Sequence, residues 1–317
     1  MRGRGPLSVG RRLKRFFLPL IAALVILVVL GVAAGPGLQV GRQPVWAVRR
    51  TSEPRRTGLF KEPRLNESSG VVASRRQPGV LWTHNDSGRR PWIYASDTLG
   101  RALGTFEVAE ARNVDWEAIA LGPCGRRDCL YIADTGDNNQ DRRSATIFRV
   151  PEPTVTGERG RTDRAEALEF HYPKGRWDVE AAFVDRTGAV YLISKGRGSA
   201  PTLYRLGPEG WGAHDVVVAE ALERLPIDTR GLGNLVTDAA LSRSGTQVAV
   251  RTYVAIYLFD FDPAGDPPLR ATGVACDAAG LQLQGEGLTW LNDRELALTS
   301  ESGLGSRGSV VVAGCGS

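Results

Sequence analysis

From Thr57 to the C-terminus, short apolar runs of strand length alternate with turns rich in Gly, Pro, Asp and Asn. One such run, "DVEAAFVD" (Asp178 to Asp185), reads as a buried strand from Ala181 to Val184 with a carboxylate, Glu180, at its entrance. The same shape occurs in "NESSGVVA", "DWEAIALG", "VTDAALSR" and "GEGLTWLN". The acids they contain are Glu67, Glu117, Glu180, Asp238 and Glu286, spaced by 50, 63, 58 and 48 residues. Spacing of this size marks a repeat architecture. Each octet is followed by a second run ("GVLWTHNDSG", "CLYIADTGDN", "AVYLISKGRG", "QVAVRTY", "ELALTSESG") and a third ("PWIYASD", "ATIFRVP", "PTLYRLG", "AIYLFDF", "SVVVAG"). The first four units add a fourth: "ALGTFEV", "ALEFHYP", "DVVVAEA" and "ATGVACD".

Five units of four antiparallel strands predict an all-β fold, a five-bladed β-propeller over residues 57–317. The last unit ends after three strands, so "TGLFKEP" near the N-terminus is expected to supply its outer strand and close the ring. Residues 152–166 and 222–235 lengthen the second and third units and read as loops.

A different pattern precedes the repeats. A basic segment (residues 1–15) leads into nineteen residues without a charge, Phe16 to Ala34. At ~1.5 Å per residue a helix of that length is about 28 Å, close to a bilayer core of ~30 Å. The run predicts a transmembrane signal anchor, or a signal peptide cut after Ala34, with residues 35–56 as a linker. Either reading places the body outside the cytoplasm: at the cell membrane in one pass, or secreted after cleavage. Four cysteines agree with export, and the spacing predicts Cys124–Cys129 as a hairpin staple and Cys276–Cys315 as a tie on the C-terminus.

Charge then changes the picture. The chain carries 40 Lys and Arg against 35 Asp and Glu, but eleven of the basic residues and only one acid lie before Thr57. The body therefore has 29 basic and 34 acidic residues, a net charge of −5. That excludes a general nucleic-acid binder, which needs cations to displace counterions.

In a propeller the first strand of each blade lines the central channel. Glu67, Glu117, Glu180, Asp238 and Glu286 are thus expected to converge on one mouth. Two carboxylates ~5 Å apart repel by about 3 kcal/mol at an effective dielectric near 20. Such a ring takes up protons, pairs with arginines or strand-end amides, or holds a cation. Oxygen ligands without His or Cys favour a hard ion, calcium before magnesium. Loops after each second strand add His84, Asn85 and Asp86, then Asp134, Asp137 and Asn138, then Lys195, Arg251 and Tyr253, and Glu301. His84 or Asp86 is a candidate to direct water, and Lys195 and Arg251 to hold an anionic ligand or to neutralise the acids. "NDSG" and "GDNN" are also ordinary turn sequences.

This order of units, with "NESSG" and "WTHNDSG" in the first, "DWEAI" and "LYIADTGDN" in the second and "VEAAF" in the third, resembles the calcium-activated nucleotidases, or soluble apyrases. The resemblance implies a five-bladed propeller with calcium on its axis and one ligand per blade, a role it gives to Glu67, Glu117, Glu180, Asp238 and Glu286. The chain also resembles uncharacterised exported bacterial propellers, which implies fold without activity. Two functions follow: a calcium-dependent hydrolase of a phosphate ester, phosphoanhydride or lactone, or a non-catalytic module that binds a small anion or an extracytoplasmic protein around a structural calcium.

Overall fold

The computed structural model describes residues 46–315 other than Arg89 and His214. The predicted membrane or signal helix lies outside the described residues, and no described helix is long and apolar enough to cross a membrane.

The described chain is a ring of five sheets. It opens with β1 (Ala47–Arg50), inside the stretch read as a linker, and β2 (Ser52–Leu59), which begins in that stretch and ends within "TGLFKEP". Blade 1 follows with β3 (Ser68–Ala73), β4 (Leu81–Asn85), β5 (Trp92–Ser96) and β6 (Ala102–Ala109). Blade 2 contains β7 (Trp116–Cys124), β8 (Arg127–Asp134) and β9 (Ala145–Pro151), then β10 (Arg159–Arg164) intervenes before its fourth strand, β11 (Glu166–His171). Blade 3 contains β12 (Val179–Val184), β13 (Val190–Ser194) and β14 (Thr202–Leu206), then β15 (Val217–Val218) intervenes before β16 (Glu220–Arg224). Blade 4 is β17 (Val236–Leu241), β18 (Gln247–Thr252), β19 (Ala255–Phe261) and β20 (Leu269–Asp277). Blade 5 is β21 (Gly285–Trp290), β22 (Glu295–Ser300) and β23 (Ser309–Gly314).

The fifth blade is completed by β2, antiparallel to β23, as expected for closure by the two ends. Three blades gain a fifth, parallel strand: β10 on β6, β15 on β11 and β1 on β20. Two expectations are corrected here. Residues 152–166 include β10, which returns to the edge of blade 1. Val217 and Val218 of "DVVVAEA" pair with blade 2, while the fourth strand of blade 3 begins at Glu220. Both β10 and β15 are edge strands with largely exposed side chains, so they lack the alternating apolar pattern that betrays a half-buried strand.

The inner strands β3, β7, β12, β17 and β21 each neighbour the next, and β21 neighbours β3. Five apolar clusters fill the five gaps between blades. Phe183, Tyr191, Tyr257 and Phe261 pack between blades 3 and 4, and Phe60, Val71, Ala297 and Val310 seal the seam between blades 5 and 1. This explains why strands such as "VYLIS" are apolar without alternation, since both faces are buried. The disulfides Cys124–Cys129 and Cys276–Cys315 both form, the second tying β20 to the end of β23.

Candidate metal centre at the channel mouth

Every inner strand is interrupted by a bulge at its entrance. The register shifts between Ser68 and Val71, Trp116 and Ala118, Val179 and Ala181, Val236 and Asp238, and Gly285 and Leu288. A bulge leaves its extra residue unpaired and re-aims it. The residues so placed are Ser69, Glu117, Glu180, Thr237 and Glu286. Two residues earlier, on the same strand face, stand Glu67, Asp115, Asp178, Leu235 and Gln284. The residue leaving each second strand supplies a third set: Asp86, Thr135, Lys195, Tyr253 and Glu301. Equivalent amide bonds mark this correspondence in blades 1, 3 and 5, from Asp86 to Glu67, Lys195 to Asp178 and Glu301 to Gln284, while in blade 2 the amide that reaches Asp115 is that of Gly136, one residue past Thr135.

The acids do converge, although not as one simple ring. One carboxylate oxygen from each of Asp86, Asp115 and Glu117 lies within 4.8 Å of the others, and so does one from each of Glu117, Asp178 and Glu180. Glu117 is common to both groups. Glu67 lies close enough to raise the proton affinity of Asp86 and Glu301, Glu286 that of Glu180, and Asp86 that of Glu286. Glu286 also accepts a hydrogen bond from Tyr253.

The five predicted acids do not occupy equivalent positions in all blades. Glu67 lies two residues before the bulge position, which Ser69 holds, and the Ser69 hydroxyl donates to the Glu117 carbonyl at 2.9 Å. Asp238 lies one residue past it. Its carboxylate is fully buried and accepts the amides of Ala239 at 2.8 Å, Leu288 at 2.7 Å and Val71 at 3.4 Å. It crosses the channel from blade 4 to blades 5 and 1, so its lone pairs are used in holding inner strands together.

Several predicted ligand-binding residues also have local work. Asn85 Oδ1 accepts the amides of Asn66 and Glu67, and Asp134 accepts those of Val114 and Asp115, so each pins the segment entering an inner strand. Asp137 caps its own turn through the amides of Asp141 and Arg142, and exposed Asn138 is held by Arg197. His84 is fully buried, packs edge-on against Trp116 at 5.6 Å and is pulled down to about 4 by burial, and that burial keeps it from solvent water. Arg251 is also fully buried and donates to Gly287 O at 2.6 Å, Thr299 O at 2.9 Å and Gln282 Oε1 at 2.8 Å. Gly285 makes room for it, since a Cβ there would overlap the guanidinium. Lys195 bonds Glu180 at 2.5 Å and lies 3.6 Å from Asp178. Both cations neutralise acids or brace backbone; neither is offered to an anion.

The electrostatics are those of a site built for positive charge. Burial, with Asp86 and Asp178 beside it, pushes Asp115 up to about 7. Burial raises Glu180 to about 8 despite Lys195, and Glu301 to about 8 with help from Glu286. Glu117 is driven well above the usual carboxylate range by burial, then by Glu180, Asp86 and Asp115. Burial alone would lower Lys195, but Glu180, Asp178 and Glu117 hold it above the ordinary lysine value.

A cation fits these residues. Asp178 Oδ2 and Thr237 Oγ1 are buried without a hydrogen-bond partner among the described residues. Gly136 keeps the space open, because a Cβ there would collide with Glu117 and Asp115. Asp115, Asp178 and Thr237 were not singled out in the sequence. The D-x-E spacing of "DWE" and "DVE" carries the signal for the first two, because residues two apart share a strand face.

A pH dependence follows. Folded carboxylates with raised proton affinity keep protons that the unfolded chain releases near pH 4, so they stabilise at low pH and lose that contribution as pH rises. Buried His84 acts in the opposite sense, but only below its ordinary value of about 6.5. Between about pH 6.5 and 8 the acids act alone. Thermal melts in chelator should therefore show a midpoint that falls across this interval, and saturating calcium should flatten the dependence.

No protein-family model matches the sequence, and no curated protein does. Among solved structures the chain is similar to a glucose dehydrogenase, with TM-score 0.50 and 11% identity over 83% of this chain and 100% of that one. It is also similar to the PQQ-bound aldose sugar dehydrogenase of Streptomyces coelicolor, with TM-score 0.48 and 12% identity over 85% and 100%. A gluconolactonase of Xanthomonas campestris, XC5397, gives TM-score 0.46 and 15% identity over 89% and 98%. At these identities the likeness is one of fold. The five sheets and the carboxylate groups rest on the geometry itself, which is that of a five-bladed β-propeller with an acidic cluster able to take a metal.

Proposed function

We propose that the protein is an exported, membrane-anchored propeller that binds calcium at the channel mouth and hydrolyses a phosphoanhydride, phosphate ester or lactone there. The observation that carries this reading is the pair of carboxylate groups sharing Glu117, with Asp86 and Asp115 on their open side. Glu117, Asp178 and Glu180 would hold the ion, with Thr237 as a neutral oxygen donor. Calcium, when bound, would supply positive charge to polarise a substrate oxygen. Asp86 and Asp115 interact directly through a hydrogen bond, so one shares a proton with the other near neutral pH. The ionised member of that pair can accept a proton from water, and its partner can return it to a leaving group. Export is supported by the two disulfides, which persist in oxidising compartments.

A second reading is a non-catalytic propeller with structural calcium that binds a small molecule or an extracytoplasmic protein. It is favoured by the internal use of Lys195 and Arg251, which leaves substrate anions only the metal to bind. A panel of nucleotides, phosphate monoesters and lactones, assayed with calcium and with chelator, separates the two. The first reading predicts calcium-dependent turnover of one class, reduced roughly 100-fold or more in Asp86→Asn. Full calcium binding without turnover of any class would leave the second.

A further inference from the structure

The channel has a second end, and its chemistry is opposite to the first. The far halves of all five inner strands enclose a cavity walled by Ala73, Leu121, Val184, Leu241 and Trp290, one from each blade. Arg75 and Arg243 stand on its rim, on the turns that leave β3 and β17. Arg186 follows β12 and is close enough to interact with Arg75. The Asp238 carboxylate, bonded across the channel to Val71 and Leu288, separates this cavity from the acidic mouth.

Two of the arginines at this end are not used by the fold. Arg76 is tied to Glu152, and Arg186 donates to the Ser244 carbonyl. Arg75 and Arg243, by contrast, make no hydrogen bond and no ion pair among the described residues. Asp128 is the one acid whose field reaches Arg75, against the opposing fields of Arg243 and Arg186. Like charges gathered without partners cost stability, and an apolar wall strengthens any interaction that relieves them. Guanidinium groups are forks that match tetrahedral and planar oxyanions.

We infer that this end of the channel is a binding site for a small free oxyanion, a phosphate or carboxylate, held by Arg75 and Arg243 over the apolar throat. The site is independent of the metal centre, which repels anions when it is empty of cation.

The test uses the full-length protein in chelator, titrated with inorganic phosphate and followed by calorimetry. Saturable binding is expected, weakened roughly tenfold or more in Arg75→Ala/Arg243→Ala. The double Lys variant should retain part of the affinity, and Glu117→Gln at the other mouth should retain all of it. Thermal midpoints should not fall in the Ala variant, because neither guanidinium bonds the fold. Absence of saturable binding, unchanged affinity in the double Ala variant, or loss of binding in Glu117→Gln would each overturn the assignment.

Discussion

Replacing Lys195 with methionine destabilises the calcium-free protein by about 3–5 kcal/mol, and calcium restores much of that loss. The ammonium is nearly buried and neutralises Glu180 at 2.5 Å and Asp178 at 3.6 Å, both of which are buried themselves. Removing it leaves Glu180 and Asp178 without their cation in a low-dielectric mouth. Some of the cost is met by protonation, since burial already raises Glu180 to about 8. A divalent cation meets the rest, because it and Lys195 answer the same carboxylates. Urea denaturation of wild type and variant, in calcium and in chelator, measures the difference. An equal loss in both conditions would mean that calcium does not reach Glu180 and Asp178.

Arg251→Met gives a loss of similar size, about 3–5 kcal/mol, that calcium does not repair. Its guanidinium bridges three acceptors on blade 5 and the segment before it: Gly287 O, Thr299 O and Gln282 Oε1. The two carbonyls are buried and Gln282 partly so, and each buried acceptor left without a donor costs about 1–3 kcal/mol. Burial lowers Arg251 to about 10, so it remains charged at neutral pH and also offsets Glu286 and Asp238. A spherical ion at the mouth cannot reproduce three directed hydrogen bonds. Arg251→Lys should recover little, because a single ammonium cannot span the same acceptors. The same denaturation series separates the residues: calcium rescue at 195 and none at 251.

The two residues also show what the chain disclosed before folding and what it withheld. Five repeats were legible because an inner strand buried on both faces must be apolar and its turns must be polar, as in "VEAAFV" followed by "DRTGA". Closure by β2 was legible because the fifth unit lacks an outer strand. The register at the mouth was not, because each bulge adds one residue before the paired stretch and nothing in the composition marks where. Glu117, Glu180 and Glu286 fall at the bulges, while Glu67 lies two residues before its bulge and Asp238 one residue past it. That single step sends Asp238 into the channel as a clamp on backbone amides and puts Thr237 at the mouth instead. His84 misled for a related reason. It precedes the mouth residue Asp86 by two, yet its ring is committed to the cluster around Trp116 between blades 1 and 2. Lys195 and Arg251 read equally as anion holders or as neutralisers of the acids, because their partners, Glu180 and the blade 5 carbonyls, are not adjacent in sequence.

The central claim is that Glu117 and its neighbours form a cation site whose protons are exchanged for metal. Calorimetric calcium titration of the protein at pH 7, in two buffers of different ionisation enthalpy, tests it directly. With Asp115 near 7 and Glu180 near 8, part of the site is protonated before calcium arrives. Saturable binding with net proton release is expected, weakened at least about tenfold by Glu117→Gln. No saturable binding, or binding that neither releases protons nor responds to Glu117→Gln, would contradict it.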